Sequence, residues 1–300
     1  MKKIKLFDLT ENNLFKKKLL KKLSSLFNRQ TFVKGKEIRQ FENKFAKSLN
    51  AKHCVSCNSG TDALFLILKS LKIQSGDEVI TTAQSWISTS EVIKNCKAKP
   101  IFVDTKNDFN INEDLIEKKI TNKTKAIIVV HLYGYPANIT KIKNICIKKK
   151  IFLIEDCAQA HFSKFNKKFV GTFGDASAFS FFPTKNLGSY GDAGCVITNN
   201  KSLYKQIKVL ANHGSNDRKN FKHDGINSRM DTIQSIVLNE KLKKIKAEIN
   251  YKQKIYKHYF KLLSKTGEIE FPDYKSNRFT NYHLLTLRCS KRNKLKKFLK

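Results

Sequence analysis

Residues 176–188 read Ala176-Ser-Ala-Phe-Ser-Phe-Phe-Pro-Thr-Lys-Asn-Leu-Gly188. The small and apolar first half predicts a buried strand, and the proline and glycine that follow mark a turn. Lys185 therefore lies at the end of a strand and not on a solvated helix face. A second apolar run, Ile151-Phe-Leu-Ile154, ends on the acids Glu155 and Asp156. The sequence thus places an amine and a carboxylate at the ends of two buried strands.

This pair of groups is what pyridoxal phosphate (PLP) chemistry requires. The lysine amine forms a Schiff base with the cofactor, and the acid keeps the pyridine nitrogen protonated so that the ring accepts electrons. Alternation along a strand puts Ile154 and Asp156 on one face and Glu155 on the other, so the two acids should have different partners. Asp156 could instead form a strand-end turn or cap the stretch that follows it.

Between about Val55 and Asn199, apolar runs alternate with helical stretches. The predicted strands are residues 78–81, 100–104, 126–130, 151–154, 176–182 and 194–198, and the predicted helices are residues 61–72, 86–95, 112–119 and 139–149. This alternation predicts an α/β fold with a mostly parallel sheet covered by helices on both faces. Ligands of such sheets bind beyond the carboxyl ends of the strands, where Asp156 and Lys185 lie.

After about Met230 the pattern changes. We predict a long amphipathic helix over residues 231–263, a strand over residues 282–287, and a last helix at residues 291–300 that has no C-cap signal. The chain is therefore divided into a large PLP-binding domain, residues 1–235, with an N-terminal helical segment, and a smaller α/β domain, residues 236–300. We expect this second domain to be incomplete.

The formal net charge of +34 is compatible with nucleic-acid binding. Lysine is spread through the whole chain, however, and the sequence has no zinc-finger spacing, helix-turn-helix or ribonucleoprotein motif. We assign the positive charge to lysines on solvent-exposed faces of the fold and expect no nucleic-acid partner. A positive field would still attract a dianionic nucleotide-sugar.

Cysteine usage and hydropathy indicate a cytoplasmic protein. No apolar run approaches the ~20 residues that span a membrane, and the N-terminus lacks the apolar core of a signal peptide. The seven cysteines are scattered and odd in number, which is typical of reduced thiols. Cys54-Val-Ser-Cys57 follows His53 but has no second ligand pair, so we predict buried thiols and no metal site.

Further candidate residues each have a structural alternative. Ser59-Gly-Thr-Asp-Ala-Leu64 comes just before a helix, where free N–H groups and the Thr61 hydroxyl could bind a phosphate or merely cap the helix. Trp86 is the only tryptophan and could pack in the core or stack on a flat cofactor. Gln159 and His161 could pack locally.

Together these pieces resemble the DegT/DnrJ/EryC1/StrS sugar aminotransferases, which are PLP enzymes of fold type I. Eight motifs occur in the family's order, and the resemblance extends over nearly the whole chain, from Phe7-Asp-Leu to the region of Arg288. The motifs are Asn58-Ser-Gly-Thr-Asp-Ala-Leu, Gly76-Asp-Glu-Val-Ile, Val130-His-Leu-Tyr-Gly, Ile154-Glu-Asp-Cys-Ala-Gln-Ala-His, Gly174-Asp-Ala, Ser180-Phe-Phe-Pro-Thr-Lys-Asn-Leu-Gly, Gly191-Asp-Ala-Gly and Gly225-Ile-Asn-Ser-Arg-Met-Asp-Thr-Ile-Gln.

The resemblance implies a role for each matching residue. Lys185 would hold the cofactor as an internal aldimine and shuttle a proton, and Asp156 would pair with the pyridine nitrogen. The other implied cofactor contacts are Gln159 at the phenolic oxygen, Trp86 on the ring face, Gly60, Thr61 and Ser180 at the phosphate, and Asn227 at the phosphate of the neighbouring subunit. His161 and Arg229 are implied to shape the sugar or amino-acid pocket.

The implied activity is transfer of an amino group from L-glutamate to a nucleotide-linked keto-sugar, in amino-sugar biosynthesis for surface polysaccharide or glycoconjugate, by a homodimer with shared active sites. The lysine stretch favours members that act on 3-keto sugars. Alternatives are a 4-keto-sugar aminotransferase and a non-catalytic or regulatory PLP-binding paralogue. A dehydratase is disfavoured because it lacks the lysine. Phe162 departs from the family, since a glycine is usual there, and could narrow the pocket or shift the loop.

Overall fold

The computed structural model describes residues 6–215, 217, 219–272 and 274–299. Their main feature is a seven-stranded sheet in the order β1-β9-β8-β5-β4-β2-β3. All neighbouring strands from β8 to β3 are parallel, whereas β9 runs antiparallel to both β8 and β1. The predicted α/β class and mostly parallel sheet are therefore confirmed.

The helices and strands alternate along the first two thirds of the chain. The helices are α1 (Asn13–Arg29), α2 (Lys36–Ser48), α3 (Gly60–Ser70), α4 (Ser88–Asn95), α5 (Ile139–Lys149), α6 (Lys201–Leu210), α7 (Thr232–Lys241), α8 (Ile245–Leu263) and α9 (Arg292–Phe298). The strands are β1 (His53–Cys57), β2 (Glu78–Thr82), β3 (Lys99–Val103), β4 (Thr124–Val130), β5 (Phe152–Asp156), β6 (Lys164–Phe165), β7 (Lys168–Phe169), β8 (Ala176–Ser180), β9 (Gly194–Thr198), β10 (Ile269–Glu270), β11 (Arg278–Phe279) and β12 (Arg288–Cys289).

Alternation along the strands separates two hydrophobic cores, one on each face of the sheet. In β4, Ala126 and Ile128 pack with α3, α4 and α6, while Ile127 and Val129 pack with α2, α5 and α8. All four side chains are fully buried. Both faces of the central strands are covered, which explains why these segments are continuously apolar in the sequence.

Six predicted strands are present with small shifts at their ends, and the helices predicted near residues 61–72, 86–95 and 139–149 are α3, α4 and α5. The helix predicted over residues 112–119 is wrong, because only a short 3₁₀ turn forms at Glu117–Lys119. The side chain of Asn112 accepts a hydrogen bond from the backbone N–H of Asp114. Such a local bond competes with a helical start.

The helix predicted over residues 231–263 is also wrong in one respect, because it is broken between α7 and α8. α7 is buried over residues 235–240, whereas the buried residues of α8 are Ile245 and Ile249. The break lets α7 lie within the protein while α8 exposes most of its surface. Packing therefore overrides a sequence that has neither proline nor glycine at this point.

The strand predicted over residues 282–287 does not form. Tyr282 has a φ of 49°, which is left-handed, and the side chain of Asn281 accepts a hydrogen bond from the N–H of His283. Both features end an extended run. The segment after α8 is instead tied to the rest of the chain by β11, which pairs with β6. We propose that the boundary between the large and the smaller domain lies near residue 235.

The seven-stranded sheet thus presents one edge at which the carboxyl ends of its parallel strands meet. No helix among the described residues combines the length and the apolar character that crossing a bilayer requires.

Candidate active site

The carboxyl ends of β5 and β8 bring Asp156 and Lys185 to one cavity of about 420 Å³. The two strands are parallel neighbours, so the acid that ends β5 and the turn that follows β8 open on the same edge of the sheet. Seven of the residues predicted for the site line this cavity, namely Gly60, Thr61, Trp86, Asp156, Gln159, Ser180 and Lys185.

Asp156 is a buried carboxylate with few partners. Its Oδ2 accepts a hydrogen bond from the Thr89 hydroxyl at 3.1 Å, and its Oδ1 accepts one from the N–H of Ala158 at 3.1 Å. Burial raises the pKa of Asp156, and these hydrogen bonds and the nearby Lys185 charge oppose that effect only in part. The carboxylate would therefore be stabilised by a further cationic group in the cavity.

Thr89, which sequence reasoning missed, is oriented by a second hydroxyl. Ser85 Oγ lies 2.9 Å from Thr89 Oγ1, and because Thr89 donates to Asp156, Ser85 must donate to Thr89. Both residues flank the start of α4, four positions apart. The signal in the sequence was only a run of hydroxyl residues around Trp86, which also fits ordinary helix capping.

Lys185 is partly buried beside this acid. Burial lowers the pKa of Lys185, and the negative charge of Asp156 opposes that effect only in part. A lowered pKa increases the fraction of neutral amine, which is the form that acts as a nucleophile or base. Its backbone N–H donates to the carbonyl of Phe182, so the turn after β8 fixes the residue's position.

The start of α3 forms the opposite end of the cavity. Gly60 and Thr61 are the first residues of the helix, so their N–H groups have no partner one turn earlier. The Thr61 hydroxyl lies 2.8 Å from Ser88 Oγ. A Cβ on Gly60 would stand 2.7 Å from Cβ of Ser180, so a side chain at this position would fill the space between α3 and β8. These are the donors and the clearance that a phosphate needs.

Trp86 and Gln159 complete the wall. Trp86 is 74% exposed, which excludes the core-packing alternative and leaves its ring open to the cavity that it lines. The side-chain oxygen of Gln159 accepts a hydrogen bond from the N–H of Tyr133 at 2.7 Å. That bond orients the amide group and leaves its nitrogen as the donor for a ligand.

Glu155 forms hydrogen bonds that stabilise the fold and does not line the cavity, as alternation along the strand predicts. One oxygen accepts from the N–H groups of Phe173 and Gly174, and the other accepts from the N–H of Gly171 and from His131 Nε2. Although burial raises the pKa of Glu155, the bonds from His131 and the backbone donors lower it below its usual value. The two adjacent acids therefore have separate partners.

Replacing Glu155 with glutamine should destabilise the fold by about 3 kcal/mol or more, because an amide nitrogen would then face N–H donors in a buried site. Because the folded-state pKa lies below the unfolded value, the stabilisation is present at neutral pH and is lost as the pH falls through the folded value. Chemical denaturation at pH 7 measures the effect, with the exposed Glu117→Gln as a matched control. An unchanged free energy of unfolding would contradict this assignment.

Three predicted site residues lie outside the cavity. His161 is fully buried between the rings of Phe179 and Phe181, and burial lowers its pKa to about 3. Asn227 is exposed, and Arg229 donates to Asn212 Oδ1 at 3.2 Å on the wall of another cavity. Within a single chain, these residues do not meet the Lys185 amine.

Phe162 adopts a φ of 62°, the left-handed region that favours glycine. This conformation explains why glycine, which the family resemblance leads us to expect here, would suit the position. The Phe162 ring packs edge-on against Phe45 and Phe169 at 6.0 Å and does not line the cavity. The expected narrowing of the pocket is therefore not found.

The residues present fit PLP. The buried Asp156 carboxylate suits a protonated pyridine nitrogen, the start of α3 suits a phosphate, and the exposed Trp86 ring suits a flat aromatic group. A fold of this kind, with a lysine and an acid at one edge of its sheet, defines a PLP-dependent enzyme.

The family follows from the sequence profile, which matches residues 13–300 to the DegT/DnrJ/EryC1/StrS aminotransferase family. The chain belongs to that family. It is 36% identical over 298 residues to the dTDP-3-amino-3,6-dideoxy-alpha-D-galactopyranose transaminase of Aneurinibacillus thermoaerophilus, covering 99% of this chain and 82% of the relative. Other relatives are named for UDP-linked and further dTDP-linked sugars.

Solved structures agree with this assignment. DesV of S. venezuelae, in complex with a ketimine intermediate, has a TM-score of 0.92 at 31% identity, covering 95% of this chain and 77% of DesV. NtdA of Bacillus subtilis, with its bound cofactor PMP, has a TM-score of 0.86 at 29% identity, covering 95% of this chain and 66% of NtdA. The protein is a PLP-dependent sugar aminotransferase.

Proposed function

We propose that the protein transfers an amino group from L-glutamate to a nucleotide-linked 3-keto sugar, in amino-sugar biosynthesis. The main support is that Lys185 and Asp156 line one cavity together with the start of α3. The names of several relatives, which are transaminases of 3-amino sugars, favour carbon 3. A 4-keto sugar is the alternative.

Bound PLP supplies an electron-accepting ring that stabilises negative charge on the reacting carbon of a substrate. The protein's residues orient that ring and move the proton. Asp156, held by Thr89 and Ala158, would accept a hydrogen bond from the protonated ring nitrogen. The partly buried Lys185 amine would take a proton from the reacting carbon of the substrate onto Nζ and then give it back to a second carbon atom, which leaves the lysine unchanged.

The remaining residues of the cavity would contact the phosphate and the ring of the cofactor. The N–H groups of Gly60 and Thr61 and the hydroxyl of Ser180 would bind the phosphate, which the positive end of α3 also favours. Trp86 would cover one face of the ring, and Gln159 would donate to the ring's phenolic oxygen. Both would hold the ring in one orientation and exclude water from it.

Asn227 supports a dimer with shared sites. It is exposed on the chain and is absent from the cavity that holds Lys185. In the proposed arrangement it reaches the phosphate in the partner's site, so that each site draws on two chains. Association would then raise cofactor affinity by mass action.

Mixing Lys185→Ala with Asn227→Ala chains tests this arrangement, because each heterodimer would have one site that lacks both changes. Equal amounts should form heterodimers in half of the population and restore about a quarter of wild-type activity. The unmixed variants are the controls. Activity no higher than the mean of the two pure samples, or a fully active monomer by light scattering, would contradict the shared site.

The substrate class is tested in the reverse direction. The PLP-loaded protein is incubated with 2-oxoglutarate and with dTDP- or UDP-linked sugars that carry an amine at carbon 3 or at carbon 4, and L-glutamate is measured. We expect glutamate to form from a 3-amino sugar. Glutamate formed from the 4-amino sugars alone would show that the enzyme acts at carbon 4 and not at carbon 3. If none of the sugars yields glutamate, the proposed function is rejected.

A further inference from the structure

A second cavity, of about 380 Å³, meets the first at Thr184 and Lys185. Its walls are the segment 6–11, the turn at residues 183–188, α8, and residues 282–285. A ligand in the second cavity can therefore lie next to Lys185.

Three acids, Asp8, Glu11 and Glu248, and three lysines, Lys185, Lys241 and Lys252, line this cavity. Glu11 accepts ion pairs from Lys241 at 3.3 Å and Lys244 at 2.8 Å, and Lys244 also lies 3.8 Å from Glu248. Lys252 also lines the cavity, yet it forms no ion pair within 4.0 Å with any acid of the described residues. Glu248, one turn earlier on α8, attracts the Lys252 charge, but among the described residues no carboxylate is in direct contact with this amine.

Lys252 is nevertheless held in one place. Its Nζ donates to Asn186 Oδ1 at 2.9 Å, and His283 Nδ1 lies 3.2 Å from the same oxygen. The Asn186 amide nitrogen donates to the carbonyl of Asn281 at 2.9 Å, which fixes the orientation of the amide. Because an ammonium group has three N–H donors, Lys252 keeps two for a ligand, next to the residue that follows Lys185.

The cavity has a polar end and an aromatic wall. Tyr256 and Tyr282 stack at 4.6 Å between ring centroids and line it. Burial and the nearby ammonium groups lower the pKa of His283 to about 2, so its ring is neutral and the positive charge belongs to the lysines. Burial also lowers the pKa of Lys252, and a bound anion would reverse that effect.

We propose that Lys252 binds a carboxylate of the amino-acid donor in the second cavity. The inference rests on the proposed function and assigns a residue to the donor's position. A carboxylate fits better than the diphosphate of a nucleotide-sugar, because Asp8, Glu11 and Glu248 share the walls and would repel a dianion more strongly than a single carboxylate.

Binding without turnover tests the proposal. Glutarate, a dicarboxylate that lacks the reacting amine, and dTDP are titrated by calorimetry into the PLP-loaded wild type, Lys252→Met and Lys252→Arg. We expect Lys252→Met to weaken glutarate binding about 10-fold to 100-fold, since a hydrogen bond to a charged group is lost. Lys252→Arg should restore most of the affinity, and dTDP binding should not change.

Lys254→Met is the matched control, because Lys254 is exposed two positions along α8 and does not line the cavity. In steady-state kinetics, KM for glutamate should rise in Lys252→Met while KM for the keto-sugar stays constant. A purely structural loss of the Asn186 contact would instead lower kcat with both substrates. Lys252→Gln, which keeps a donor to Asn186, replaces the methionine variant if that variant fails to fold.

Unchanged glutarate affinity in Lys252→Met would overturn the proposal, and weakened dTDP binding would reassign the cation to the nucleotide phosphates. The proposed function is judged separately by whether the wild type's cofactor absorbance changes on adding L-glutamate. If it changes and Lys252→Met keeps the wild-type KM, only the role of Lys252 is rejected.

Discussion

Replacing Lys185 with alanine should abolish transamination, with a fall in kcat of about 10⁴-fold or more. The substitution removes the one amine of the described residues that lines the cavity together with Asp156. It therefore removes both the nucleophile and the group that moves the proton between substrate and ring. Cofactor binding should weaken less, because the start of α3 and Asp156 are unchanged.

The rate is measured as L-glutamate-dependent conversion of a keto-sugar under steady-state conditions, with the exposed Lys201→Ala as the control. That control should keep wild-type activity. If the Lys185→Ala protein converts substrate near the wild-type rate, another lysine of the chain has the catalytic role.

Replacing Asp156 with asparagine should lower kcat by about 10²-fold to 10⁴-fold. Asparagine keeps the size of the side chain and one acceptor for the Thr89 and Ala158 donors, but it cannot hold a proton on the ring nitrogen through its charge. The loss should therefore fall on kcat more than on PLP affinity.

Both quantities can be measured on the same samples, by steady-state kinetics and by titrating the apoprotein with PLP. Asp224→Asn, at a 94% exposed position, is the control and should behave as the wild type. Near-normal turnover in Asp156→Asn would contradict the role of Asp156 and point to Glu155. The four hydrogen bonds that Glu155 already accepts make that outcome unexpected.

The core of the fold could be predicted because its strands are buried on both faces. Continuous apolar runs such as residues 151–154 are typical of strands that are buried on both faces. Acids or lysines directly after such strands therefore lie at the edge of a parallel sheet. The same reasoning placed Asp156 and Glu155 on opposite faces, as their hydrogen bonds confirm.

Side-chain networks between distant segments could not be predicted. Thr89 reaches Asp156 across 67 positions of the sequence, and Asn186 meets Asn281 across 95. Neither pair has a local pattern, because hydroxyl and amide residues are equally common in caps and turns. His161 follows a family motif, yet its position between two phenylalanines depends on how β8 packs against the loop.

The breaks in the C-terminal region were missed for a related reason. A helix-forming sequence over residues 231–263 favours one continuous helix, and only the burial of α7 beneath α1 and α2 makes two helices more stable. The left-handed Tyr282 is equally hidden from sequence reasoning, because tyrosine rarely adopts that conformation.

We expect Lys185 to be the lysine to which the cofactor attaches. The PLP-loaded protein is reduced with borohydride, digested, and its peptides are sequenced by mass spectrometry. We expect a phosphopyridoxyl group on Lys185 at close to one per chain and no comparable label elsewhere. A label on a different lysine, with Lys185 unmodified, would contradict it.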